Sequence, residues 1–266
     1  MAGITFTDQM GKRVVVPFPP KRIVSLVPSQ TELLFDLGLE EAVVGITKFC
    51  IHPQDKFKST AKVGGTKKLH LDKIRELMPD LIIGNKEEND QAQIEELMTE
   101  FPVWMSDIHT LDDAYGMMEG IGAVTGTTKE AQELIDSIKM AFADFQTSLK
   151  PGSQLRVAYF IWKDPYMVAG PNTFINEILQ LGGWINAVSD SRYPELSESA
   201  IKKLNPDLIF LSSEPYPFKD KHVAEFKEFC PDSKVLIVDG ELFSWYGSRL
   251  RHTPQYLFSL QQAVNQ

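Results

Sequence analysis

Two periodicities alternate along this chain. Short, largely apolar runs at Ile23–Val27, Ala42–Ile46, Leu81–Gly84, Val103–Met105, Arg156–Ile161, Leu208–Leu211 and Val235–Val238 read as strands buried on both faces. Between them, apolar residues recur every three or four positions, the helical spacing. One such helix starts at Pro28-Ser29 and runs to Gly38, with Ser29 as its cap and Leu33, Leu34 and Leu37 facing inward. Others are expected over 90–99, 111–124, Thr173–Gly182 (with Thr173 as a hydroxyl cap), 221–229 and from Pro254 to the end. At the start, residues 4–7 and 13–16 read as edge strands joined by a turn at Gln9–Lys12, and Pro17, Pro19 and Pro20 force an extended connector. Strands alternating with helices predict an α/β protein with mostly parallel sheets.

One stretch of the pattern is written twice. LHLDKIRELMPDLIIGNKE at 69–87 and LSESAIKKLNPDLIFLSSE at 196–214 align without a gap, 127 positions apart (Pro79 to Pro206). Each copy reads as a short helix, a Pro-Asp stop and a buried strand that ends in polar residues, because the residue before proline avoids the α region. Two copies half a chain apart predict two similar lobes. Residues 128–149 lie between the copies and contain no Gly or Pro, with Leu134, Ile138, Phe142, Phe145 and Leu149 at helical spacing. A helix of that length spans roughly 33 Å, enough to tie two lobes together or simply to cover a surface. The expected organisation is an N-terminal α/β lobe over 1–126, a linking helix over 127–151, which ends at Pro151-Gly152, and a C-terminal α/β lobe over 152–266.

Composition narrows the function. The 266 residues are 43% hydrophobic and 24% charged, with a formal net charge of −9, the balance of a globular protein able to bury one large core or two smaller ones. No long Lys/Arg cluster suggests a nucleic-acid partner. No apolar run approaches the roughly 18 residues that span a bilayer. The opening MAGITFTDQMGKR has no apolar leader segment. It fits either a mature periplasmic or membrane-anchored extracytoplasmic segment whose leader is gone, or a cytoplasmic protein if Met1 is the native start. Cys50 and Cys230 lack metal-ligand or redox spacing and read as free thiols. A monomer is expected.

Ligands of open α/β sheets bind beyond the carboxyl ends of the strands. Those ends carry Phe49 and His52, Thr66–Lys68, Asn85–Asn89, Trp162 and Tyr166, Tyr216 and Phe218, and Trp245 and Tyr246. Together with Tyr193, the aromatics concentrate in second-lobe loops beside Pro or Gly, so Trp162, Tyr166, Tyr193, Tyr216, Phe218, Trp245 and Tyr246 are candidate ligand walls. Lys67, Lys68 and Arg249 could meet acidic groups. His52 and His70, both near first-lobe strand ends, could share a divalent metal such as zinc or manganese. Nucleophile-elbow, phosphate-loop, dinucleotide and zincin patterns are all missing, so no enzyme and no intrinsic cofactor are expected.

The segments PPKRIVSLVPSQTELLFDLG, VVGIT, VGGTKKLHLDKIRELMPDLIIG and NPDLIFLSSE resemble the helical-backbone (class III) substrate-binding proteins of ABC transporters, within the periplasmic binding protein family. IWKDPYMVAGPNTFINEILQLGG and ELFSWYGSRL are similar to its cobalamin-binding branch. The resemblance runs from about Phe6 to the C-terminus. It implies two lobes bridged by one long helix, with a ligand cleft between them for a metal chelate: cobalamin, a ferric siderophore or haem. It also implies an ABC permease as partner, docked through one acidic residue on each lobe, here Asp72 and Glu198. Two other readings stay open: direct divalent-metal binding, and a cytosolic enzyme or cofactor-handling protein on the same scaffold.

Overall fold

The computed structural model describes residues 3–149 and 155–265, and its chain divides into two α/β units. The first takes in the residues up to Ile108, Asp112–Ile138 and Tyr246–Arg249; the second holds His109–Leu111, Lys139–Trp245 and the residues from Leu250. The helix stop expected at Pro151-Gly152 lies outside the described residues.

In the first unit, β1 (Gly3–Thr7) and β2 (Arg13–Pro17) form an antiparallel hairpin. Then follow β3 (Ile23–Ser25), α1 (Pro28–Asp36), β4 (Val43–Ile46), α2 (Gln54–Ser59), β5 (Ala61–Lys62), α3 (Leu71–Leu77), β6 (Leu81–Asn85), α4 (Gln91–Met98) and β7 (Val103–Ser106). The sheet runs β5-β4-β3-β6-β7, parallel throughout. Its core joins Val24, Leu26, Ile74, Ile82, Ile94 and Leu97. Ser29 does not cap α1. The helix opens on Pro28, Val27 holds the extended cap position, and Ser29 is buried in the first turn. Proline at the first helical position brings no N–H that needs a partner and presets the backbone angle, so the chain enters the helix one residue earlier.

α5 (Leu111–Thr125) and α6 (Thr128–Ser148) follow. α6 is the bridging helix: its residues to Ile138 belong to the first unit and those from Lys139 to the second. Its buried stripe is Ala131, Ile135, Ile138, Phe142 and Phe145, while Leu134 and Leu149 are only half-buried.

The second unit contains β8 (Arg156–Trp162), β9 (Tyr166–Val168), α7 (Phe174–Leu181), β10 (Ile185–Asn186), β11 (Glu195–Leu196), α8 (Glu198–Leu204), β12 (Leu208–Ser212), α9 (Asp220–Phe229), β13 (Lys234–Val238), α10 (Glu241–Ser244), a 3-10 turn at Ser248–His252 and α11 (Thr253–Asn265). Thr173 caps α7 as expected, accepting from the Asn176 N–H at 3.1 Å. The sheet order is β11-β9-β8-β12-β13, with β10 also paired to β8. β8, β12 and β13 are parallel, but β9 and β11 add an antiparallel edge that strand-helix alternation does not foretell.

The repeated stretch has a structural purpose. In both copies the helix ends on a left-handed residue, Met78 (φ 42°) or Asn205 (φ 45°), directly before the proline. The aspartate after the proline then holds the start of the neighbouring strand. Asp80 accepts from the N–H groups of Lys21 and Arg22, each at 2.8 Å, and Asp207 from the N–H of Arg156 at 2.7 Å. The same arginines reach back to the helix ends: Arg22 Nε donates to Leu77 O at 2.8 Å and Arg156 Nη1 to Leu204 O at 3.1 Å. Asp80→Ala removes two charge-assisted bonds, and its expected cost is about 2 kcal/mol of stability in urea unfolding. A change near zero would mean that water serves these N–H groups equally well.

Candidate functional site

The carboxyl ends of the first unit's strands are shaped by buried polar groups. After β4, the Cys50 Sγ lies 3.1 Å from the Oγ1 atoms of both Thr31 and Thr47, in full burial that pushes the thiol pKa up. This anchor turns Phe49 and Ile51 outward, 50% and 41% exposed. The Phe49 ring lies against Gly65, where an added Cβ would stand 3.1 Å from it, and the Lys48 ammonium sits 4.9 Å from the ring centroid.

Lys67 and Asn85 are engaged in holding the neighbouring loop. Lys67 Nζ donates to the carbonyls of Glu87 and Asn89. Asn85 is buried: its Oδ1 accepts from the N–H groups of Glu87 and Glu88 at 2.8 and 3.0 Å, and its Nδ2 donates to Ser106 Oγ at 2.9 Å. Lys68 is exposed. His52 is half-buried and His70 exposed; among the described residues no group of three or more His, Cys, Asp or Glu side chains is arranged to hold a metal. Arg249 makes a two-pronged pair with Glu32, Nε to Oε2 at 2.9 Å and Nη2 to Oε1 at 2.7 Å.

In the second unit, Trp162 ends β8 and is 40% exposed. Its ring meets Tyr216 edge-on, centroids 5.6 Å apart, and Tyr216 is backed by Phe218 at 4.7 Å and His222 at 5.5 Å. The Tyr216 hydroxyl lies 3.3 Å from His222 Nε2. Tyr193 is half-buried, with the Arg192 guanidinium 5.9 Å from its ring centroid.

Four of the expected wall aromatics are packed away instead. Tyr166 opens β9 in the core beside Phe160 and Phe226, Phe218 lies in the same cluster, and Trp245 and Tyr246 are buried. Polar ends explain how two of the rings tolerate burial. Tyr166 donates to Glu225 Oε1 at 2.5 Å, and Trp245 Nε1 to Glu214 Oε1 at 2.8 Å. Burial, then Glu225, pushes the Tyr166 phenol pKa up. Burial opposes the charge of Glu225, but Lys163 and Tyr166 outweigh it and hold this carboxyl below the usual range.

Sequence reasoning left out His222, Glu225, Glu214, Lys48 and Ile51. The available signal was local: His222 stands three residues after Lys219, where a side-chain acceptor can reach back to the N–H at a helix start. Asp72 and Glu198 are exposed in the first turns of α3 and α8. Asp72 pairs with Arg75 at 3.1 Å, and Glu100, Glu96 and Asp72 together raise the guanidinium's pKa.

The periplasmic binding protein family matches residues 23–229. The chain belongs to this family. Its members bind substrates rather than transform them. Over 217 residues it is 31% identical to an uncharacterized ABC transporter substrate-binding lipoprotein of Bacillus subtilis, covering 77% of this chain and 68% of the relative. It is 25% identical over 199 residues to a vitamin B12-binding protein of Vibrio cholerae, covering 74% and 72%. Among solved structures, the periplasmic vitamin B12-binding protein of Vibrio cholerae superposes with a TM-score of 0.81 at 20% identity, covering 94% of this chain and 100% of that one. The petrobactin-binding protein of Bacillus subtilis gives 0.81 at 21% identity, covering 100% of both. These likenesses fix the two-unit α/β fold with its bridging helix as that of the periplasmic binding protein family.

Proposed function

We propose that this protein is the extracytoplasmic substrate-binding component of an ABC importer and that it captures a metal-chelate nutrient: cobalamin, a ferric siderophore or haem. The observation that carries the reading is the exposed Trp162 ring on half-buried Tyr216 at the strand ends of the second unit, in a chain whose family is established. Large flat ligands gain affinity from such rings. The vitamin B12-binding relatives favour a ligand of this class, and the lipoprotein relative favours placement outside the cytoplasm. On the first unit, Phe49 and Ile51 offer apolar surface, and Lys48 and Lys68 are available to acidic groups. Asp72 and Glu198 would meet the permease.

Tryptophan fluorescence tests this directly, because Trp104, Trp184 and Trp245 are buried and Trp162 is exposed. Titration with cyanocobalamin, haemin, a panel of ferric siderophores and zinc is expected to give quenching by one chelate at micromolar concentration or below. A response to zinc alone would transfer the reading to His52 and His70, and silence throughout would overturn it. For the bound chelate, Asp72→Arg with Glu198→Arg should leave affinity unchanged and abolish uptake through the permease. Normal uptake would remove both residues from the docking surface.

A further inference from the structure

His222 is buried at the start of α9, under the Trp162–Tyr216 wall. Its Nδ1 accepts the Lys219 backbone N–H at 2.8 Å, so Nδ1 carries no proton. In the neutral ring the proton is therefore on Nε2, which lies 3.3 Å from the Tyr216 hydroxyl oxygen. That oxygen is then the acceptor from His222, which leaves the phenol's own hydrogen to be given elsewhere.

Resting on the binding role proposed above, we infer that His222 is a positioning residue: it presents the Tyr216 O–H as a donor beside the exposed Trp162 ring. This wall then selects a flat ligand with an acceptor oxygen at its edge, and it loosens its hold in acid. A second proton on the imidazole would sit on Nδ1, facing the Lys219 N–H, donor against donor. The ring would leave, α9 would lose the bond at its first turn, and Tyr216 would lose its support.

The surroundings resist that proton. Tyr216 and Phe218 pack on the ring from the preceding loop, Lys219, Lys221 and Glu225 stand on α9 and its cap, and Lys163 faces it from the end of β8. Burial, then Lys221 and Lys163, lowers the His222 pKa, against the pull of Glu225. Glu225 is itself engaged by Lys163 and Tyr166. The folded protein thus holds the neutral ring, and its contribution is complete above the ordinary histidine pKa of about 6.5. It fades as pH falls from there toward the lowered value.

The test has one arm that needs no ligand. Histidine-selective 15N NMR at about pH 8 is expected to show His222 with its proton on Nε2; a proton on Nδ1 overturns the inference. Acrylamide quenching of Trp162 is expected to change as pH falls below about 6.5 in the wild type and to stay flat in His222→Gln. Glutamine offers an acceptor to Lys219 and a donor to Tyr216 without titrating. The same slope in both proteins overturns the inference.

The second arm uses cyanocobalamin and haemin as probes. Affinity for the one that binds is expected to fall about tenfold below that pH in the wild type and less than about twofold in His222→Gln. Tyr216→Phe is expected to lose about tenfold at about pH 7.5. An equal pH loss in the wild type and His222→Gln, or full affinity in Tyr216→Phe, overturns the inference. If neither probe binds, the ligand assignment fails for both, and the first arm still decides the role of His222.

Discussion

Gly64→Ala is expected to lower the unfolding free energy by about 3 kcal/mol, the combined effect of a forbidden backbone angle and a clash. Gly64 has φ +109°, a region closed to side chains. A Cβ there would stand 2.5 Å from the Lys68 carbonyl oxygen, 2.9 Å from the His70 nitrogen and 3.0 Å from the Leu69 Cα. All three are backbone atoms and cannot rotate away. The turn is also tied from both sides: Lys48 N–H donates to Gly64 O and Gly65 N–H to Lys68 O, each at 2.8 Å. Relaxing the clash therefore shifts the loop under Phe49. Urea unfolding followed by circular dichroism measures the effect, and a loss below about 1 kcal/mol would show that the turn can open without cost.

The second large effect concerns binding. Trp162→Ala is expected to weaken capture of the proposed chelate by about 30-fold, roughly 2 kcal/mol, while changing the melting temperature little. Trp162 is a partly exposed ring whose loss leaves no cavity in the core. Trp245→Ala should behave in the opposite way. Its ring is buried and its Nε1 is bonded to Glu214, so truncation opens a cavity, removes one donor from that carboxylate and costs about 3–5 kcal/mol of stability. Isothermal titration calorimetry paired with thermal melts separates the two. Unchanged affinity in Trp162→Ala would move the ligand wall elsewhere in the molecule.

These contrasts show where the sequence was legible. Buried parallel strands such as Leu81–Asn85 and Leu208–Ser212 declare themselves, because both faces are apolar and a proline marks each entrance. The doubled helix–Pro-Asp–strand unit announces the two units for the same reason. The antiparallel edge was not legible: Tyr166–Val168 and Glu195–Leu196 are too short for any periodicity, and their pairing depends on a distant partner. The loop aromatics fail differently. Tyr166 and Trp245 look like Trp162 in sequence, and what separates them is a carboxylate from another segment, Glu225 or Glu214, that makes burial affordable for a polar ring. Lys67 and Asn85 were legible as strand-end residues, but their bonds to the 87–89 loop and to Ser106 depend on the fold.

The Arg22–Asp80 and Arg156–Asp207 latches have a further consequence for how such a protein can change. Both lie at the amino ends of their strands, whereas Phe49, Trp162 and Tyr216 lie at or beyond the carboxyl ends. In each sheet these latches thus sit at the end away from the proposed ligand wall. With the ligand wall where it is proposed, substitutions there can retune cargo preference while the elements that register the strands stay untouched.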